Sequence, residues 1–195
     1  MASVRAEIGE LAGVSTRRST VVLLATAAAG AAISVLLGVY ARLHDPTNEQ
    51  IAHFGFSSTL AMKAWLTTAA AVLALAQATS AAWMWGKLPR AGRAPRWVAH
   101  AHRWTGTAAF VVILPVAYHC LWSIGWQEPD ARVFVHGLLG CAFFGVLTMK
   151  LLALRFDGLP AWTLPTLGGG LVALLLGIWS TSSLWYFTNV GFPAF

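Results

Sequence analysis

Residues 104 to 126 read WTGTAAFVVILPVAYHCLWSIGW, and after the short polar break QEPDAR residues 133 to 154 read VFVHGLLGCAFFGVLTMKLLAL. Each run is long enough to cross a hydrocarbon layer about 30 Å thick as a helix. Neither alternates polar with apolar residues as a barrel strand would, and in lipid the backbone must satisfy its own hydrogen bonds. Two adjacent helical spans joined by a few polar residues are therefore the first reading of this sequence.

Working outward, the same criterion picks out 21–43, 59–85 and 162–187. With 57% hydrophobic and only 10% charged residues among 195, the chain lies far from the roughly one-quarter charged residues usual in soluble domains. About five spans and their connections consume the whole length. The expected architecture is an all-α integral membrane helix bundle, a single transmembrane domain over 1–195 in contact with membrane lipid.

Charge gives an orientation. Arg5, Arg17 and Arg18 precede the first span, Lys87, Arg90, Arg93, Arg96 and Arg103 join the second to the third, and Lys150 and Arg155 lie between the fourth and fifth. Only Arg42, Lys63 and Arg132 fall on the opposite side, together with Asp45, Glu49, Glu128 and Asp130. The positive-inside rule then puts the N-terminus in the cytoplasm and the C-terminus outside, in a bacterial plasma membrane. The net charge of +6 is sorted by membrane side rather than spread over a phosphate-tracking face, which argues against nucleic acid.

Six histidines are the informative polar residues. His44 and His53 fall in the first external connection, and His100 and His102 in the cytoplasmic loop before the third span. His119 and His136 lie inside spans, where an ionisable residue is costly without a partner and signals function. At 1.5 Å rise per residue His119 sits roughly 10 Å, and His136 about 5 Å, below the outer end of its helix. Paired imidazoles at similar depth are the natural axial ligands of a b-type haem iron. Gly140, one turn beyond His136, leaves room for a porphyrin edge, and Phe143 continues that face. Pro115 frees the carbonyl of Val111 and bends the third span locally.

The same residues carry a resemblance. His102-Arg103-Trp104-Thr105-Gly106 opening a span, His119 late in it and His136 early in the next are similar to the transmembrane haem domains of the cytochrome b561 and ferric-reductase superfamilies, over roughly residues 100 to 155. That resemblance implies electron exchange between a membrane haem b and a quinol, another reductant or a partner redox protein. The chain departs from those families in one respect. Two haems stacked across a bilayer need ligands about four turns apart, and roughly 13 or 14 residues from His119 lie Gly106 and Thr105, from His136 Met149 and Lys150. A second haem would have to use His102 with Met149.

Other residues stay open. His53, in Ala52-His53-Phe54-Gly55-Phe56, is the alternative ligand to either member of the pair, or part of a quinone site. His44 is expected in solvent. Lys63 is expected to extend its ammonium to the outer interface, its other role being to meet a haem propionate. Cys120 and Cys141 form no CxxC pattern and read as buried small residues. Gln77, Thr79, Ser80 and the run Ser180-Thr181-Ser182-Ser183 are expected to bond between helices. The function expected is a membrane cytochrome holding one haem near the extracytoplasmic face, an electron-transfer oxidoreductase subunit. The alternatives are a haem-free membrane anchor or assembly subunit of a larger complex and a small transporter.

Overall fold

The computed structural model describes residues 2–49 and 53–192, with side chains from Arg17 onward in the first helix. The Arg5 side chain and Ala52 lie outside the described residues. Every regular element within them is helical: α1 (Ala2–Leu43), α2 (Thr59–Met84), α3 (Arg96–Tyr118), α4 (Ala131–Ala153), α5 (Thr163–Trp179) and a final turn α6 (Trp185–Asn189). Wide π-helical turns extend α3 over His119–Ile124 and join α5 to α6 over Ser180–Leu184. Five of these continuous helices are long and apolar enough to cross a membrane, the first counted from Arg17 to Leu43. The chain is an all-α, multi-pass membrane protein.

Helix starts follow local chemistry. The Ser58 hydroxyl accepts from the Ala61 amide and the Asp130 carboxylate from that of Val133, each capping an end that would otherwise leave amides unsatisfied. Pro95 stands immediately before α3, so this helix begins at Arg96, well before the apolar run. His100 and His102 are therefore helical, which corrects their expected place in a loop: Pro needs no donor partner at a helix entrance, and polarity does not oppose helix there.

Each helix packs mainly against one or two neighbours, in the order α1, α4, α5, α2, α3. In lipid the apolar effect does not pull helices together, so close contact must come from small residues. Gly30 and Gly145 supply it between α1 and α4, where a Cβ on Gly145 would run into the Ser34 hydroxyl and come within 2.6 Å of the Gly30 carbonyl. Ser34 donates to the Cys141 carbonyl at 3.0 Å across the same seam. Outward faces carry Leu24, Val35, Leu151 and other large exposed apolar side chains, as a lipid-facing surface requires.

Although α3 and α4 follow one another in sequence, they share no extended packing. At the end bearing Asp45, Glu49, Glu128 and Asp130, here the acidic end, α3 is instead tied to α1. The Trp126 amide donates to the Ala41 carbonyl at 2.8 Å, and the Asn48 amide to the Ser123 carbonyl at 2.9 Å. Gly125 makes this crossing with φ of +69°, and a Cβ there would meet the Ala41 carbonyl at 3.2 Å. Closed at that end and open along its length, the α3–α4 gap becomes a cavity.

Candidate functional site

The cavity holds about 430 Å³ and is bounded mainly by α3, α4 and the Ser180–Leu184 segment, with contributions from α1 and α2. That is within the usual range for small-ligand sites, roughly 300–1,000 Å³. Two wide turns shape its walls. Pro115 has no amide to offer Val111, and one turn later the helix opens into its π segment at His119. Such wide turns concentrate at functional positions, and here both of them are at the acidic end.

His136 of α4 lines this cavity. Its Nδ1 lies 3.0 Å from Thr181 Oγ1, and the Thr181 hydroxyl donates to the Gly177 carbonyl at 2.9 Å. A hydroxyl that donates to Gly177 can receive the Nδ1 hydrogen of His136 on a lone pair, and the Cys120 thiol is a second hydrogen-bonding neighbour of the ring. Gly140 is also in the wall, with nothing within 4 Å of the Cβ it lacks. Phe143, only 8% exposed, continues the same face into the core with Ile113, Val116 and Ile178.

His119 is 2% exposed, and its Nδ1 lies 2.8 Å from the Pro115 carbonyl. That bond fixes the proton on Nδ1, leaving Nε2 buried without a hydrogen-bond partner. His119 is not part of the cavity wall, to which α3 and its π turn contribute Ile113, Val116, Ala117, Cys120, Leu121 and Ile124. The two histidines share the acidic end of the bundle but do not face one another across this space.

The remaining histidines are placed apart from it. His53 is exposed in the α1–α2 connection. His102, half-buried, has Nδ1 2.8 Å from Ser80 Oγ, and Met149 packs against Gly30 of α1. His100 Nδ1 accepts from the Arg103 guanidinium at 3.0 Å. His44 is partly exposed and also has ring partners. It stacks on Tyr40 at 5.1 Å and tilts against Trp122 at 4.5 Å, with Nε2 3.1 Å from the Trp122 carbonyl, because the α1–α3 tie brings those rings together.

Three wall residues stand out beside the histidine, Cys120, Lys63 and Arg132, of which only Lys63 has an expected ligand role from sequence, as the alternative partner of a haem propionate. The Cys120 thiol lies beside the Lys63 ammonium and the His136 imidazole, all three in the wall. Arg132 donates to the Thr181 carbonyl at 2.8 Å, approaches Asp130 at 3.5 Å and lies 3.9 Å from the centre of the Trp185 ring. The signal for this group is spacing: Arg132 and His136 are one helical turn apart on α4, as are His136 and Gly140. Lys63 enters from α2 one turn below the Ser58 cap.

An apolar cavity carrying one oriented imidazole, one thiol and two cations can bind a largely apolar ligand, accept coordination at His136 Nε2 and meet negative charge. Among the described residues no three His, Cys, Asp or Glu side chains converge, so a bare metal ion has no ready cage. Haem iron differs in that the porphyrin supplies its equatorial ligands and the protein only the axial ones.

Comparison with curated proteins and with solved structures returns no match. A family model does match, over residues 22–194 and hence over the cavity and all but the first residues of the first membrane span, and the chain belongs to that family, the family of unknown function DUF6529.

Proposed function

We propose that this protein is a membrane-embedded electron-transfer subunit that holds one haem b in the cavity beside α4. The observation carrying this reading is His136, a cavity-wall imidazole oriented by the hydrogen bond between its Nδ1 and Thr181. Fixing one ring nitrogen through an outer partner is how proteins orient histidine toward a metal. Gly140 and Phe143 fit a flat ring, the first by leaving space and the second by lining it.

His119 is the proposed second ligand, because its Nε2 is a buried imidazole nitrogen without a partner. It neighbours the wall rather than forming it, so its engagement requires the π turn to rotate, and a wide turn is the least tightly specified part of α3. His53 is the alternative, entering from the α1–α2 connection. One haem per chain is the reading proposed, with His102 and Met149 as the pair a second haem would need. When bound, haem b supplies one-electron chemistry. The chain supplies ligation, burial and access for a quinol or a partner redox protein. Charge sorting supports a bacterial plasma-membrane orientation with the N-terminus in the cytoplasm and the haem toward the outside.

Purification from cells supplied with ample haem tests this directly. Non-covalent haem b with a low-spin absorption spectrum is expected. His136→Ala and His119→Ala should each abolish or convert that spectrum, while His44→Ala and His100→Ala leave it unchanged. Loss in His53→Ala with retention in His119→Ala would make His53 the second ligand. A colourless preparation would instead favour a haem-free anchor or assembly subunit.

A further inference from the structure

The charges on the cavity wall are unbalanced. Its lining is predominantly apolar, with Leu37, Leu60, Ile113, Val133 and Phe144 among the contributors, yet Lys63 and Arg132 both reach it. Ion pairs among the described residues join Arg42 to Glu128 at 2.8 Å and Arg132 to Asp130 at 3.5 Å, and no carboxylate pairs with Lys63. A cation in a low-dielectric wall is costly while it lacks an opposite charge. The Cys120 thiol lies beside Lys63 and provides no carboxylate.

Resting on the reading of this cavity as a ligand site, we infer that its occupant is an amphiphile bearing a carboxylate, received by Lys63 with the spare donors of Arg132 beside it. Arg132 is paired with Asp130 and engaged with the Thr181 carbonyl, so Lys63, Arg132 and Asp130 together carry one net positive charge. That matches a carboxylate better than a phosphate dianion. The apolar remainder of the ligand lies along Phe143, Phe144 and Gly140, away from the charged mouth. Two molecules share this chemistry: haem b through its propionates, and a free fatty acid.

The test uses the full chain in uncharged detergent, titrated with haem b and with haem b dimethyl ester, and in parallel with oleate and with methyl oleate. The wild type should bind at least one acid roughly tenfold more tightly than its ester, as expected for a desolvated charge pair. In Lys63→Met the acid should lose that advantage while ester binding stays unchanged, and Lys63→Arg should restore it. Arg132→Gln should reduce the preference only in part. Discrimination between oleate and methyl oleate with no haem bound in either form would uphold the inference and reject the haem reading. Equal binding of acid and ester by the wild type, or the same loss for both in Lys63→Met, would overturn it and leave Lys63 as a lipid-headgroup contact. No binding of any of the four probes overturns both readings.

Discussion

Thr181 Oγ1 stands between the Nδ1 of His136, 3.0 Å away, and the carbonyl of Gly177, 2.9 Å away, so a hydroxyl in the Ser180–Leu184 turn orients an α4 imidazole. The bond also fixes the ring's rotation about its axis. Thr181→Val keeps shape but removes the acceptor, and haem affinity measured by titration should fall about 10- to 100-fold, the usual effect of losing an outer partner of a metal ligand. Thr181→Ser should retain most of it. Equal affinity in Thr181→Val and wild type would show that His136 is not the ligand.

Two glycines on α4 should respond in opposite ways. Gly145→Ala places a methyl against Ser34 and the Gly30 carbonyl, and should destabilise the fold by about 1–3 kcal/mol, as overpacking does. Gly140→Leu projects into open space, so thermal unfolding in detergent should be nearly unchanged while cavity binding is lost. Equal unfolding temperatures for Gly145→Ala and wild type would mean that α1 is not held at this crossing.

At the basic end, the Gln77 amide donates to the His102 carbonyl and to Thr105 Oγ1, joining α2 to α3. Interhelical hydrogen bonds in membrane proteins average about 0.6 kcal/mol and reach about 1.7. Gln77→Leu should cost about 1 kcal/mol in mixed-micelle unfolding without altering any spectrum due to a ligand at the other end. A spectral change of the size seen for His136→Ala would place the ligand elsewhere.

Reporter fusions after Ala91 and after Glu128 should report opposite sides of the membrane, with Ala91 cytoplasmic. The two positions fall in connections at opposite ends of α3. Fusions reporting one side would break the α3 span itself.

Much of the fold was readable because lipid leaves the chain few choices: long apolar runs must be helices, and the ends of 133–154 and 162–187 agree with α4 and the α5–α6 segment to within about two residues. The start of α3 was not, since Arg96 to Arg103 is too polar to register as a span although Pro95 marks a helix entrance. Gly140 and Phe143 were placed correctly beside His136 because regular helical spacing holds on α4. On α3 that regularity ends at His119. A residue there points about 100° from its neighbour, and a wide turn alters the count, so spacing alone could not tell whether His119 or Cys120 would face the cavity. Lys63 could be assigned a depth from sequence, but the identity of what it faces depends on three other helices.

The seam between Gly30 and Gly145 joins parts of the chain made far apart in time. At ordinary synthesis rates of roughly 5–20 residues per second, α4 follows α1 into the membrane on the order of 10 s later. Until then α1 has no main partner, for α2 and α3 pack chiefly on each other. It must be content in lipid alone, and its stretch from Arg17 to Leu43 is the most apolar of the five spans. The small residues that later admit α4 cost it nothing while it waits, since Gly30 and Ser34 leave a shallow groove that acyl chains can fill. Assembly of this bundle is thus a search by α4 for a helix already in place, and the cavity forms only when that search has ended.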